Sequence, residues 1–248
     1  MRSDHTIACF HPQSTPIPVK MTPETQEIRK RRAIIYIDGY NWYHAIFRHY
    51  PEWKWLNIQS FFSSLRPDEE IVSVKMFSAY IDHDPDARER QVRYFKAIQT
   101  LPKVKLILGV FQPREVTCRA GCKQKYFVPE EKKTDVNLAV EMIGDAVAGA
   151  CDSIFVVSGD ADVQPAVEWI ANHRKHIKIT VYVPAIPSEQ STRRTDYYRT
   201  KGLAVECKFL PLGGIKDHQM KHMVKISEDK FAVRPHIWQK HPINLATQ

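Results

Sequence analysis

The sequence has no apolar run approaching the ~20 residues that a membrane-spanning helix requires. Its opening stretch, MRSDHTIACFHPQSTPIPVK, lacks the apolar core of a secretory signal. Cysteine is scarce: Cys9, Cys118, Cys122, Cys151 and Cys207 are scattered through 248 residues, too few and too far apart for a disulfide framework. There are no internal repeats and no low-complexity segments. These absences predict a soluble protein of the reducing cytoplasm, with no membrane partner. Acidic residues are also outnumbered, 28 against 36 Lys and Arg, which leaves a formal charge of +8. Such a balance favours polyanionic partners through phosphate contacts and counterion release, although an ordinary basic surface gives the same count.

With 43% hydrophobic residues, the chain can bury one good-sized core and has little room for a second domain. Residues 1–30 carry four prolines and no apolar period, so they read as a flexible N-terminal tail. The basic run Arg29-Lys30-Arg31-Arg32 is taken as a solvated flank of the strand that follows, in preference to a nucleic-acid arm.

Residues 31–212 form the expected domain. Continuous apolar runs predict strands at Ala33–Asp38, Ile71–Ile81, Val104–Phe111, Ser153–Ser158 and Ile177–Val183. Helical patterns fall near 41–49, 57–65, 85–100, 135–148, 162–173 and 189–200. This alternation predicts an α/β protein with a mainly parallel, Rossmann-like sheet. Ligands of such sheets bind beyond the carboxyl ends of the strands. The polar segment 112–133 is longer than an ordinary connection and reads as a flap or hairpin insertion. Residues 213–248 form a C-terminal extension, expected to pack on the domain through Phe231, Val233, Ile237 and Trp238.

The carboxylates fall where that architecture puts chemistry. Asp38 ends the first strand in YIDGYN, where Gly39 permits a sharp exit and Asn41 begins or caps a helix. Asp160 and Asp162 follow the fourth strand in VSGDAD. Asp135 lies in the first turn of a helix for which Thr134 is the expected N-cap and Val136, Val140, Ile143 and Val147 the expected apolar stripe. Each acid alone has a structural reading: Asp162 as a helix cap, Asp135 as a charge on the helix dipole, Asp38 as part of a turn. Four together repel one another unless a cation intervenes, and oxygen ligands suit Mg²⁺ or Mn²⁺. Such a site aligns water for attack on a phosphodiester.

The segments Ile-Asp-Gly-Tyr-Asn (37–41), Glu-Lys-Lys-Thr-Asp-Val (131–136) and Val-Ser-Gly-Asp-Ala-Asp (157–162) resemble the three signature blocks of NYN domains, members of the PIN-like nuclease superfamily. The resemblance spans roughly 33–212. It implies a three-layer α/β/α sandwich and a metal-dependent ribonuclease, with Asp38, Asp135, Asp160 and Asp162 as catalytic and metal-binding residues. Asn41 is then the polar companion of Asp38. Ser158 supports the last pair by holding a substrate phosphate or a metal-bound water. Lys132 and Lys133 fall to the scissile phosphate, a role no better founded than that of solvated flap charges. Where related sequences carry a cysteine cluster before the middle block, this one has only Cys118 and Cys122. They read as free thiols in preference to zinc ligands, which would need partners such as His83, Cys151 or Cys207.

Arg88, Arg90, Arg93, Arg193, Arg194 and Arg199 are candidates for contacting a nucleic-acid backbone, Arg193 and Arg194 foremost. Tyr40, Tyr197 and Tyr198 are candidates for stacking bases, whereas Trp42 and Tyr43 are assigned to core packing. Asp82 and Asp84 are expected to cap the helix near Pro85. RNA is the expected partner; carboxylates that see phosphate leave DNA open. A homodimer or a regulatory protein partner is compatible with the sequence, which selects neither. Two rival functions stand beside the ribonuclease: a non-catalytic RNA-binding module of the same fold, and a phosphohydrolase acting on small esters.

Overall fold

Strand β1 (Arg31–Asp38) shows why its sequence is apolar throughout. Ala33, Ile35 and Ile37 face one core, while Ile34 and Tyr36 face another. A strand with helices on both sides of its sheet has no solvent face on which to place polar residues. The computed structural model describes residues 29–118, 122–185 and 189–239, and for 189–194 the backbone alone. The expected tail lies almost wholly outside the described residues, as do the side chains of Arg193 and Arg194.

β1 pairs in parallel with β2 (Glu69–Ser78), which pairs with β3 (Val104–Leu108). On its other side β1 pairs with β6 (Ser153–Val157), followed outward by β7 (Lys178–Val183) and β8 (Val205–Phe209). The order β3-β2-β1-β6-β7-β8 reverses direction between β1 and β6. That reversal opens a crevice beyond their carboxyl ends.

Helices α1 (Gly39–Trp42), α2 (Ile58–Leu65) and α3 (Pro85–Ile98) supply one core. Helices α4 (Thr134–Val147), α5 (Gln164–His173) and α6 (Glu189–Thr200) cover the opposite face. The result is the three-layer α/β/α arrangement. Beyond Trp42 the first helix widens into a π-helical turn over Tyr43–Phe47, so the segment expected to be plainly helical is α-helical only at its start.

Several local expectations are corrected. The apolar run 104–111 is two strands, because the chain breaks at Gly109 and re-emerges as β4 (Val110–Thr117), antiparallel to β5 (Lys125–Lys132). A Cβ at Gly109 would sit 2.4 Å from Thr134 Oγ1 and 2.5 Å from the Lys132 carbonyl, so only glycine lets the hairpin root against α4. β8 escaped notice because it is a short, partly exposed edge strand whose Glu206 and Lys208 break the apolar run.

On α4 the buried face is Leu138, Met142 and Ala146; of the expected stripe Ile143 packs partly against this core, while Val136, Val140 and Val147 are exposed. Both sets have helical spacing, and the helix follows the longer Leu and Met side chains into the core. Lys133, at φ 74°, takes the N-cap position, so Thr134 is the first helical residue and its hydroxyl donates to Glu131 instead.

After residue 212 the chain forms a short hairpin, β9 (Met223–Ser227) with β10 (Lys230–Val233). Ala232 and Trp238 are buried in the core beside α1–α3, while Phe231 and Ile237, expected to help in docking, are exposed. Among the described residues, no helix is long and apolar enough to cross a membrane.

Candidate active site

The ends of β1 and β6 are sewn together by polar contacts at the crevice. Asp38, 3% exposed, accepts a hydrogen bond from the Asn41 backbone N–H at 2.9 Å, and so caps α1. Its second oxygen accepts the Ser158 hydroxyl at 2.9 Å, while Ser158 Oγ in turn accepts the Asp160 N–H at 3.0 Å. Asn41 Oδ1 accepts the Gly159 N–H at 2.9 Å. Gly39 makes the tight exit possible, since a Cβ there would stand 2.7 Å from the Phe77 carbonyl of β2.

Electrostatics tie four elements to one place. Burial pushes the Asp38 carboxyl up to about 6; its two hydrogen bonds oppose the rise, and the charges of Asp135 and Asp160 add to it. Asp135, in the first turn of α4, is raised by burial and then by Asp160 and Asp162. Asp160 and Asp162 lie exposed beyond β6, the N–H of Asp162 donating to Asp160 Oδ1 at 3.1 Å. Asp162 does not cap α5, whose N-cap is Val163, without a side-chain bond.

The hairpin adds a fifth acid that sequence reasoning passed over. Glu131 on β5 is raised to about 7, first by burial and then by Asp38 and Asp135, against the Thr134 hydrogen bond. It lies in the same sequence block as Asp135, but its segment reads as a polar flap, and nothing in a flap says which residues turn inward.

No cation of the protein neutralises Asp38, Asp135, Asp160 or Asp162 among the described residues, a donor set that suits a hard divalent ion. Their side chains are nevertheless not closed into a ready-made cage: no three His, Cys, Asp or Glu among the described residues converge at ligand spacing. An ion would have to draw the carboxylates inward.

Other sequence candidates divide. Lys132 is ion-paired to Glu130 at 3.0 Å, whereas the exposed Lys133 makes no ion pair among the described residues and stands directly before α4. The Ser158 proton is committed to Asp38, which leaves that hydroxyl no proton for a phosphate. Tyr198 and Trp42 are buried, so neither stacks a base; Tyr40 is 45% exposed and Tyr43 38%. Asp84 caps α3 by accepting the Ala87 N–H. Arg93 pairs with Glu89, Arg199 with Asp196, and Arg88 donates to the Ile81 carbonyl. The four described cysteines are unbridged, with Cys118 and Cys122 in hydrogen-bond contact.

Beside the crevice lies a cavity of about 360 Å³, bounded by Gly39, Tyr40, His44, Phe111 and the start of α3. No sequence signal located it, because its walls come from segments far apart in the chain.

The chain is 29% identical over 194 residues to 6-hydroxy-3-succinoylpyridine 3-monooxygenase HspA of Pseudomonas putida, covering 64% of this chain. It spans only 62% of the length of that relative. Among solved structures, a protein of unknown function from Vibrio parahaemolyticus is similar with a TM-score of 0.45 at 22% identity, over 74% of this chain and 94% of that one. N-carbamoylsarcosine amidase from Thermoplasma acidophilum follows at 0.29 and 14%, over 72% and 96%. Neither structural likeness bears on function. The family model for the NYN domain matches residues 32–201, which hold all five acids of the crevice, and the chain belongs to this nuclease-related NYN domain family.

Proposed function

We propose that this protein is a metal-dependent ribonuclease, acting endonucleolytically on RNA with Mg²⁺ or Mn²⁺. The observation that carries the reading is that carboxylates from β1, β5, α4 and the turn after β6 share one crevice, where burial first, and then one another's charge, raises Asp38, Glu131 and Asp135. Unbalanced negative charge at the switch point of a parallel sheet is what a phosphodiester-cleaving metal site needs before its ion arrives. Asp38, Asp135, Asp160 and Asp162 would hold the ion, which when bound supplies charge neutralisation and an acidified water.

The chain's own groups do the rest. Asn41 and Ser158 fix the Asp38 oxygens. Glu131, holding or releasing a proton near neutrality, is suited to exchange one with the attacking water or the leaving oxygen. Lys133 is free to meet a phosphate. The basic surface draws the polyanion in.

The test is direct. Purified protein with Mg²⁺ or Mn²⁺ should cut RNA, while EDTA, Asp38→Asn or Asp160→Asn should abolish cutting with the circular dichroism spectrum unchanged. Absence of cleavage by the wild type under both ions would sink the proposal. The printed activity of the Pseudomonas relative gives a second reading, oxygenation of a small aromatic ring, favoured by the ring-lined cavity beside the crevice. Turnover of 6-hydroxy-3-succinoylpyridine to a hydroxylated product, with O₂ as oxidant and a reduced nicotinamide supplied as two-electron donor, would select it.

A further inference from the structure

The cavity beside Asp38 carries a more specific reading. It encloses about 360 Å³, within the range of about 300–1,000 Å³ typical of small-ligand sites. Its buried lining is mainly apolar, with Met76, Ala79 and Phe95 among it. Its mouth is aromatic: the Tyr40 ring lies 4.3 Å from that of His44 and 6.3 Å from that of Phe111, and His83 lies 5.9 Å from Phe111.

The charged groups around the cavity are not equivalent. Lys54 is spent on rings, 4.7 Å above Tyr43 and 5.7 Å from Trp238. Asp84 is spent on the cap of α3, and Gln91 on the Ala79 carbonyl and the Ile81 N–H. Arg90, half-buried on the wall, makes no hydrogen bond or ion pair among the described residues. An apolar slot with aromatic edges and one unspent guanidinium is matched by a flat ring that carries an anion.

The cavity also adjoins the carboxylates. Gly39 on its wall follows Asp38 in the chain, and Phe111 lies directly opposite Glu131 in the hairpin register. A phosphodiester laid across the acids therefore presents a neighbouring base to this opening.

We propose that this cavity binds a planar aromatic heterocycle bearing an anionic group, stacked against Tyr40 and Phe111 with the anion at Arg90. The ligand is either one nucleotide of a single-stranded RNA or a free heteroaromatic acid. The first source rests on the ribonuclease reading and the second does not.

The experiment uses full-length protein carrying Asp38→Asn, in EDTA, so that binding is read without cleavage. The probes are a single-stranded RNA decamer, a series of the same decamer with one abasic position moved along it, and 6-hydroxynicotinate. If the source is RNA, the intact decamer binds about 10-fold tighter than the best-placed abasic one, as expected for the loss of one stacked base. Tyr40→Ala with Phe111→Ala removes that difference, while Arg90→Ala, which takes away the partner of an anion common to intact and abasic decamers, weakens both alike.

If the source is a free acid, 6-hydroxynicotinate binds and the same variants abolish its binding, while the intact and abasic decamers bind alike. Equal binding of intact and abasic decamers together with no binding of the acid overturns the proposal. Tyr40 and Arg90 are partly exposed, so a folded variant is expected, and Arg90→Lys should restore part of the affinity. RNA cleavage by the wild type with Mg²⁺ is scored separately, so failure of the nuclease reading does not mask the result here.

Discussion

Ser158 donates its hydroxyl proton to Asp38 at 2.9 Å while accepting the Asp160 N–H at 3.0 Å, so one small side chain joins the ends of the two strands that flank the switch point. Asp38 is 3% exposed and has no cationic partner among the described residues; the Ser158 hydroxyl and the Asn41 N–H donate to its carboxylate and stabilise its charge. Ser158→Ala removes one of those donors and leaves the Asp160 N–H without its acceptor. We expect a loss of about 1–3 kcal/mol in stability, measured by urea denaturation. The acid limb of the cleavage profile should move to higher pH, because Asp38 would hold its proton more tightly. Ser158→Thr keeps the hydroxyl and should restore both. An unchanged acid limb in the alanine variant would mean that Asp38 does not depend on this bond.

The raised acids predict how metal and pH interact. Asp38 goes from an ordinary 3.8 to about 6, and Glu131 from 4.5 to about 7. A carboxyl raised by folding favours the native state while protonated. Its contribution is full below the ordinary value and is lost as pH rises through the folded one. For Asp38 that loss is roughly 3 kcal/mol by pH 7, at about 1.4 kcal/mol per pKa unit. The metal-free protein should therefore lose stability from these two groups between about pH 4 and pH 7. Mg²⁺ or Mn²⁺, which binds the deprotonated acids, should raise Tm more at pH 8 than at pH 5. Differential scanning calorimetry of wild type and Asp38→Asn checks this. Equal shifts at the two pH values would place the ion elsewhere.

Gly109 predicts how the hairpin and the crevice are coupled. Alanine there meets Thr134 Oγ1 and the Lys132 carbonyl at distances no Cβ tolerates, so β5 and the start of α4 must separate. Glu131 and Asp135 sit on those two elements. The strain should cost about 1–3 kcal/mol. RNA cleavage should fall well beyond what the lost stability explains when assayed at 20 °C, where the variant stays folded. Wild-type kcat in Gly109→Ala would show that hairpin placement is irrelevant to the chemistry.

Much of this was legible beforehand, for identifiable reasons. The runs 33–38, 153–158 and 177–183 announced β1, β6 and β7 because strands buried on both faces have no polar positions to confuse the reading. Asp38 is visible because it ends one such run, and Asp160 because it stands two residues beyond another. Glu131 is not, since its inward direction is set by pairing with Phe111 across the hairpin, a contact with no local signature. Tyr198 illustrates the converse error: an aromatic on a polar helix reads as available for stacking, yet α6 turns it into the core. On α4, two apolar sets share one helical period, and only tertiary packing decides between them.

Lys75 decides how firmly α4 is held. This buried lysine on β2 donates to Glu141 Oε2 and Asp145 Oδ2 at 2.5 Å each, and the Tyr36 hydroxyl donates to Asp145 at 2.6 Å. Burial opposes the Lys75 charge, but the two carboxylates outweigh it and raise its pKa. Asp135 lies on the same helix, so this network sets where the crevice receives it. Lys75→Met leaves Asp145 confined without its cation and should destabilise by about 3 kcal/mol, the low end for a broken buried pair because Glu141 reaches solvent. Lys75→Met with Asp145→Asn removes the charge that was stranded and should recover part of that loss. A double-mutant cycle in urea measures the coupling. Additive effects would mean that α4 is seated by Leu138, Met142 and Ala146 alone.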